Sequence, residues 1–201
     1  RGLGDVYKRQ VTNAPAPASA VSTAELAFGL MLAAARKIVS GDKVTRAGEF
    51  YGWRPTFYLG SQLKGKTLGI IGLGNIGKNL AKRARAFEMK VIYYSRTRKE
   101  DFEREFDIEY LDRDEVVRSA DFLSLHTAFV PDLRHMISKK ELEMMKKSAI
   151  LINASRGPIV DEDALADALI ENVIAGAALD VYEFEPRVND KLMDLDNVIL
   201  A

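Results

Sequence analysis

The sequence predicts an α/β fold, a doubly wound parallel sheet with helices on both faces. Three observations predict it. Short apolar runs alternate with helical stretches along residues 66–200, which is the pattern of crossover connections between parallel strands. A glycine motif, Gly72-Leu73-Gly74-Asn75-Ile76-Gly77, stands directly between the first of these runs and the helix after it. Later runs end in Asn, Arg, Asp and Glu, at the edge where open α/β sheets bind their ligands. No internal repeat and no low-complexity tract interrupts the pattern.

The elements follow in order. Residues 20–40 have apolar positions at helical spacing and no internal proline, and predict one long helix closed by Gly41 and Asp42. Residues 43–64 mix charge with Phe50, Tyr51, Trp53, Phe57 and Tyr58, and read as a connecting arm. TLGII at 67–71 is a strand, 75–87 a helix with a basic face, and VIYY at 91–94 a second strand. Residues 97–107 suggest a short helix or a loop. Helix 113–119 and strand 122–125 come next. Helix 138–146 starts at Ser138 with Glu141 three residues on, a capping box. Strand 149–153, helix 161–171 and strands 177–181 and 197–200 complete the set.

Composition bounds the function. The chain has 201 residues, 47% of them hydrophobic, with 29 basic and 29 acidic side chains. That balance argues against nucleic-acid or membrane-surface binding by bulk charge. The absence of cysteine excludes disulfides, thiolate nucleophiles and Cys-zinc sites. With two histidines, His126 and His135, no metal site is expected. No apolar run is expected to span a membrane. The expected compartment is the cytoplasm, with the true N-terminus out of view. Residues 1–10, RGLGDVYKRQ, can be encoded by a string similar to the end of a transposase-based sequencing adapter read in frame. They are expected to be a non-native segment, set aside from the fold. Residues 11–201 then form the domain.

The glycine motif carries the sharpest chemistry. In a strand-to-helix context it is the fingerprint of a Rossmann-type dinucleotide site. Gly72 permits the tight turn, Gly74 lets backbone approach a pyrophosphate, and Gly77 lets helix and strand pack closely. The helix that opens at Asn75 and Ile76 offers free N–H groups and a positive dipole end to the phosphates. An NAD-preferring site places an acid at the end of the second strand. This sequence has Ser95, Arg96 and Thr97 there. A hydroxyl and a guanidinium suit a 2′-phosphate, so NADP is the expected cofactor, with NAD as the other possibility if Arg96 and Arg98 are only solvated charges. Arg156, after the strand that ends at Asn153, is placed either to grip a carboxylate and polarise a carbonyl or to serve as an ion-pair partner. Asp180 and Glu185 come to the same edge, and residue type alone does not select Glu185.

Taken together, GLGNIG, SRTR, DFLSLHTAFVPDLRHMI, LINASRGPIVDEDAL and GAALDVYEFEP occur in an order and spacing that resembles the D-isomer-specific 2-hydroxyacid dehydrogenase family. The wording is most similar to its glyoxylate/hydroxypyruvate reductase branch, including 2-ketogluconate reductases. The resemblance covers about residues 11–201. It implies that Arg156 holds the carboxylate and carbonyl of a 2-oxo acid and that Glu185 pairs with a catalytic histidine. It also implies that Asp180 contacts the nicotinamide carboxamide. Gly72 and Gly74 to Gly77 then meet the pyrophosphate, Ser95 to Thr97 the ribose phosphate, and Thr127 and Ala154 lie near the cofactor. Two copies are expected to pair when the protein is intact, with residues 20–40 and 43–64 as candidates for the interface or, alternatively, for packing on a substrate domain.

One departure stands against this. The family's catalytic histidine sits in a Pro-His pair just after the strand NVILA, and this chain stops at Ala201. His126 reads as structural or cofactor-side, and His135 as a surface residue. Residues 11–201 are therefore expected to be a cofactor domain incomplete at its C-terminal end, able to bind dinucleotide without turnover. The expected reaction of the intact protein is reduction of glyoxylate, hydroxypyruvate or 2-ketogluconate. The competing expectation is a dinucleotide-sensing, corepressor-like regulator on the same fold.

Overall fold

The computed structural model describes residues 17–201, so the expectation for residues 1–10 lies outside the described residues. Seven parallel strands form one sheet in the order β3-β2-β1-β4-β5-β6-β7. They are β1 (Thr67–Ile71), β2 (Lys90–Tyr94), β3 (Glu109–Tyr110), β4 (Phe122–Leu125), β5 (Ile150–Asn153), β6 (Gly176–Leu179) and β7 (Val198–Leu200). The sheet is parallel because a helix intervenes between every two successive strands. Central strands such as FLSL and GAAL are buried along their whole length, as a strand covered on both faces must be.

The helices divide between the faces. On one side lie α1 (Pro17–Ala35), α3 (Asn75–Ala86) and α4 (Glu100–Phe106), around a core that includes Phe28, Met31, Leu80 and Phe102. On the other lie α5 (Arg113–Ser119), α6 (Lys139–Met144), α7 (Glu162–Ile170) and α8 (Asp190–Met193), around Val116, Leu142, Leu165 and Leu192. The doubly wound architecture expected from the sequence is thus observed. The Ser138–Glu141 capping box is formed as expected.

Four details differ from expectation. The helix foreseen over 20–40 is two helices, α1 and α2 (Ile38–Arg46), so α2 also takes the first residues of the expected arm. Lys37 adopts φ 54 and ψ 39, a left-handed conformation that no helix continues through. Over Ala18–Ala35 α1 is long and apolar enough, by length and composition alone, to cross a membrane, although no apolar run of that kind was expected. Its Ala24, Ala27, Phe28, Leu30 and Met31 are buried against α3 and the sheet. The two-residue edge strand β3 and the one-turn helix α8 were not foreseen.

Candidate functional site

The reversal of strand order falls between β1 and β4, and the glycine turn sits there. Ile71 accepts a hydrogen bond from His126 N–H at 2.8 Å, and Gly72 N–H donates to Tyr94 O at 2.8 Å. Gly72 has φ +102, and a Cβ there would stand 2.6 Å from His126 O. Only glycine meets both demands. At Gly77 a Cβ would run into the carbonyl oxygen of Gly72, so its bareness sets how closely α3 approaches the turn.

Gly74 is different. It is the N-cap of α3, with nothing within 4 Å of a Cβ added to it. The helix opens with Asn75 and Ile76, carries no acid in its first turn and has Arg83 and Arg85 in its last, so its dipole is unopposed at the N-terminus. The first N–H groups have no intrahelical acceptor. Beside them, at the end of β4, the Thr127 hydroxyl is buried without a hydrogen-bond partner. A bare cradle, free backbone donors and an orphaned hydroxyl fit the pyrophosphate and ribose of a dinucleotide.

Ser95, Arg96 and Thr97 follow the end of β2. The Ser95 hydroxyl donates to Thr97 O at 2.7 Å. Arg96 is exposed and has no ion pair among the described residues. Arg98 is exposed, as the sequence allowed, and is held by Glu103 in a bidentate pair.

The ends of β5 and β6 lie side by side, with Asn153 opposite Leu179. Asp180 N–H donates to Asn153 O at 3.0 Å, which sets Asp180 next to Ala154. The Asn153 side chain ties its own loop. Its carbonyl accepts from the Ser155 N–H and hydroxyl, and its amide donates to Arg156 O. Arg156 is exposed and donates to Ser155 O at 2.6 Å. It makes no ion pair among the described residues, so the ion-pair reading left open by the sequence is not what the fold builds. Burial raises the Asp180 carboxyl above its ordinary range, and the neighbouring Glu185 charge raises it further. Glu185 is exposed and accepts from Tyr182 N–H at 3.0 Å.

The structure adds residues that sequence reasoning missed. Glu183, with a side chain only 5% exposed, accepts from Arg134 at 2.5 Å and lies 2.8 Å from His135 Nε2. Its own N–H donates to buried Glu162 at 2.6 Å. The segment carrying Glu185 is therefore anchored by the loop of Arg134 and His135 and by the first turn of α7. His135 is accordingly a half-buried member of this cluster, not the surface residue expected. No periodic signal marks such a cluster, because its members lie far apart in sequence.

His126 is buried, with Nε2 2.8 Å from the Ser124 hydroxyl and Nδ1 unpartnered. Burial alone lowers it to about 4. The ordinary value near 6.5 is recovered on unfolding, so the unfolded chain binds the extra proton between these limits. Stability is full above pH 6.5 and is lost as pH falls towards 4. By pH 5 the loss is about 2 kcal/mol, or about 4–8 °C in melting temperature. His126→Gln should remove that part of the acid slope. Equal slopes in melts at pH 7.5 and 5 would contradict this.

Comparison with known proteins agrees with the geometry. The family described as D-isomer specific 2-hydroxyacid dehydrogenase, NAD binding domain, matches residues 28–201. A protein of Staphylococcus haemolyticus (strain JCSC1435) named as a 2-hydroxyacid dehydrogenase is 52% identical over 191 residues, covering 95% of this chain and 60% of that one. The glyoxylate reductase from Paecilomyes thermophila superposes with a TM-score of 0.82 at 39% identity, covering 90% of this chain and 55% of that one. The NAD-complexed D-isomer specific 2-hydroxyacid dehydrogenase from Lactobacillus delbrueckii ssp. bulgaricus gives 0.83 at 33% identity, covering 96% and 62%. The chain spans about 60% of the length of the curated relatives it matches. The regulatory alternative finds no support in these names. A parallel sheet reversing at a glycine cradle, with Arg156 and Asp180 delivered beside it, and a match that runs from residue 28 to the last residue lead to one assignment: the chain belongs to the D-isomer specific 2-hydroxyacid dehydrogenase family.

Proposed function

We propose that residues 11–201 are the cofactor-binding part of an NADPH-preferring reductase of small 2-oxo acids such as glyoxylate, hydroxypyruvate or 2-ketogluconate. The observation that carries this is an exposed guanidinium, Arg156, with no carboxylate partner among the described residues, at the strand edge that also holds Asp180 and the open start of α3. A dinucleotide bound there supplies the hydride. Gly72, Gly74, Asn75, Ile76 and Gly77 hold the pyrophosphate by backbone, and Ser95, Arg96 and Thr97 receive the 2′-phosphate. Thr127 and Ala154 line the path of the cofactor, and Asp180 takes the carboxamide. Arg156 grips the substrate carboxylate and polarises the carbonyl at which charge develops.

By resemblance to the family an imidazole protonates that oxygen, and neither described histidine is available for it. His126 is buried against Ser124, and His135 is held by Glu183. In the whole protein Glu185 stands beside an imidazole contributed from outside the described residues and favours its protonated form by charge attraction. The exposed Tyr51 and Trp53 of the arm suit the pairing of two copies, which belongs to the same reading.

Arg96 gives the direct test of cofactor choice. Arg96→Met should weaken NADPH binding about ten-fold or more, the worth of a charge-assisted pair, and change NADH binding less than two-fold. Fluorescence titration of both cofactors measures this. A wild-type chain that binds NADH tighter than NADPH would overturn the preference.

A further inference from the structure

The loop between β2 and α4 is shaped from beneath by a residue of the core. Tyr93 is the penultimate residue of β2 and is fully buried on the α3 and α4 face. Its hydroxyl accepts the Lys99 N–H at 2.7 Å and donates to Glu103 Oε1 at 2.6 Å. Glu103 in turn takes Arg98 through Nε at 3.0 and 3.1 Å and through Nη2 at 2.8 Å. The Arg98 guanidinium lies 5.6 Å from the centre of the Tyr110 ring. At the other end of the loop, Ser95 closes on Thr97 O.

A phenylalanine would fill the same space in the core but leave the Lys99 N–H and a Glu103 oxygen without this partner. A buried hydroxyl is costly unless it is bonded, and both partners of this one belong to the loop and the helix after it. Burial and the bond to Glu103 push the phenol up to about 12, so it stays a donor at any physiological pH. Arg98 is consumed by Glu103, which leaves Arg96 as the loop guanidinium without an ion pair among the described residues.

We propose that Tyr93 is a positioning residue for cofactor selectivity: through the Lys99 N–H and Glu103 it holds the Ser95–Thr97 turn in the form that presents Arg96 to a 2′-phosphate. This rests on the reading that Arg96 meets that phosphate. Tyr93 touches no cofactor atom and acts only through the loop.

A double-mutant cycle with Arg96 separates positioning from packing. Tyr93→Phe should weaken NADPH binding about five- to ten-fold, an effect of the order of one hydrogen bond, while NADH binding changes less than two-fold. In the Arg96→Met background the same substitution should add less than two-fold, because its means of action is gone. Arg98→Ala with Glu103→Ala removes the clamp without freeing a cation, and should lower the NADPH:NADH ratio in the same direction. Equal weakening of both cofactors, or a full effect of Tyr93→Phe without Arg96, would mean that Tyr93 only packs, and overturns the proposal. If wild type prefers NADPH, Arg96→Met abolishes that preference and Tyr93→Phe leaves the ratio unchanged, the proposal falls and the Arg96 reading stands. If wild type shows no preference, both fall together.

Discussion

Gly74→Val should leave the chain folded and remove its dinucleotide binding. A Cβ at this position meets nothing within 4 Å, and the backbone at φ −82, ψ −161 is extended, open to any residue. The cost to folding is therefore at most about 1 kcal/mol. The isopropyl group, however, stands over the first N–H groups of α3, where a pyrophosphate would sit. Several charge-assisted bonds are lost together, each worth about 1.5–3 kcal/mol. The affinity for NADPH should fall by about 100-fold or more. Melting and cofactor titration on the same preparation give the answer. A variant that binds within ten-fold of wild type would mean the dinucleotide lies elsewhere. Gly77, three residues on, is a contrast, because its missing side chain is a requirement of the fold itself.

Gly157→Ala should be the most damaging alanine substitution among the described glycines. A Cβ on Gly157 would overlap the carbonyl oxygen of Tyr182 and stand 2.5 Å from Glu183 N. Both are backbone atoms, so no side chain can swing aside. The 182–185 segment would have to move, and it is held by Glu162 at its N–H and by Arg134 and His135 at the Glu183 carboxylate. Moving it strips partners from a buried charge, which costs about 3–5 kcal/mol. The melting temperature should fall by about 10 °C, and the Arg156 and Glu185 loops should lose their mutual placement. If the variant melts within about 2 °C of wild type, the two loops slide past each other without cost, and the anchoring described here is wrong.

Much of this was legible in the sequence, for identifiable physical reasons. A strand buried on both faces is mostly apolar, so TLGII, FLSL and ILIN announce themselves. The bare turn between β1 and α3 needs glycine at fixed positions, and GLGNIG supplies them. The break at Lys37 is a single backbone rotation in an ordinary residue and leaves no compositional trace. Strand β3 is two residues at the sheet edge, Glu109 and Tyr110, too short for a period. Tyr93 reads as one more core aromatic until its hydroxyl is followed to Lys99 and Glu103. Glu183 looks like a solvated loop acid, and only the fold brings Arg134, His135 and Glu162 to it. Whether Arg156 is paired depends on what folding places around it, which residue type does not state.

The placement of α1 has a consequence for how the chain is made. This apolar helix packs on β5, β6 and β7 as well as α3, and those strands begin at Ile150, roughly 115 residues after Ala35. At ribosomal rates of about 5–20 residues per second, α1 emerges roughly 10 s before the strands that cover it. During that interval a helix with the composition of a membrane span can pack on α3, which follows it sooner, while its sheet-facing side stays uncovered. The nascent chain, more than the finished protein, exposes the sheet-facing side of α1.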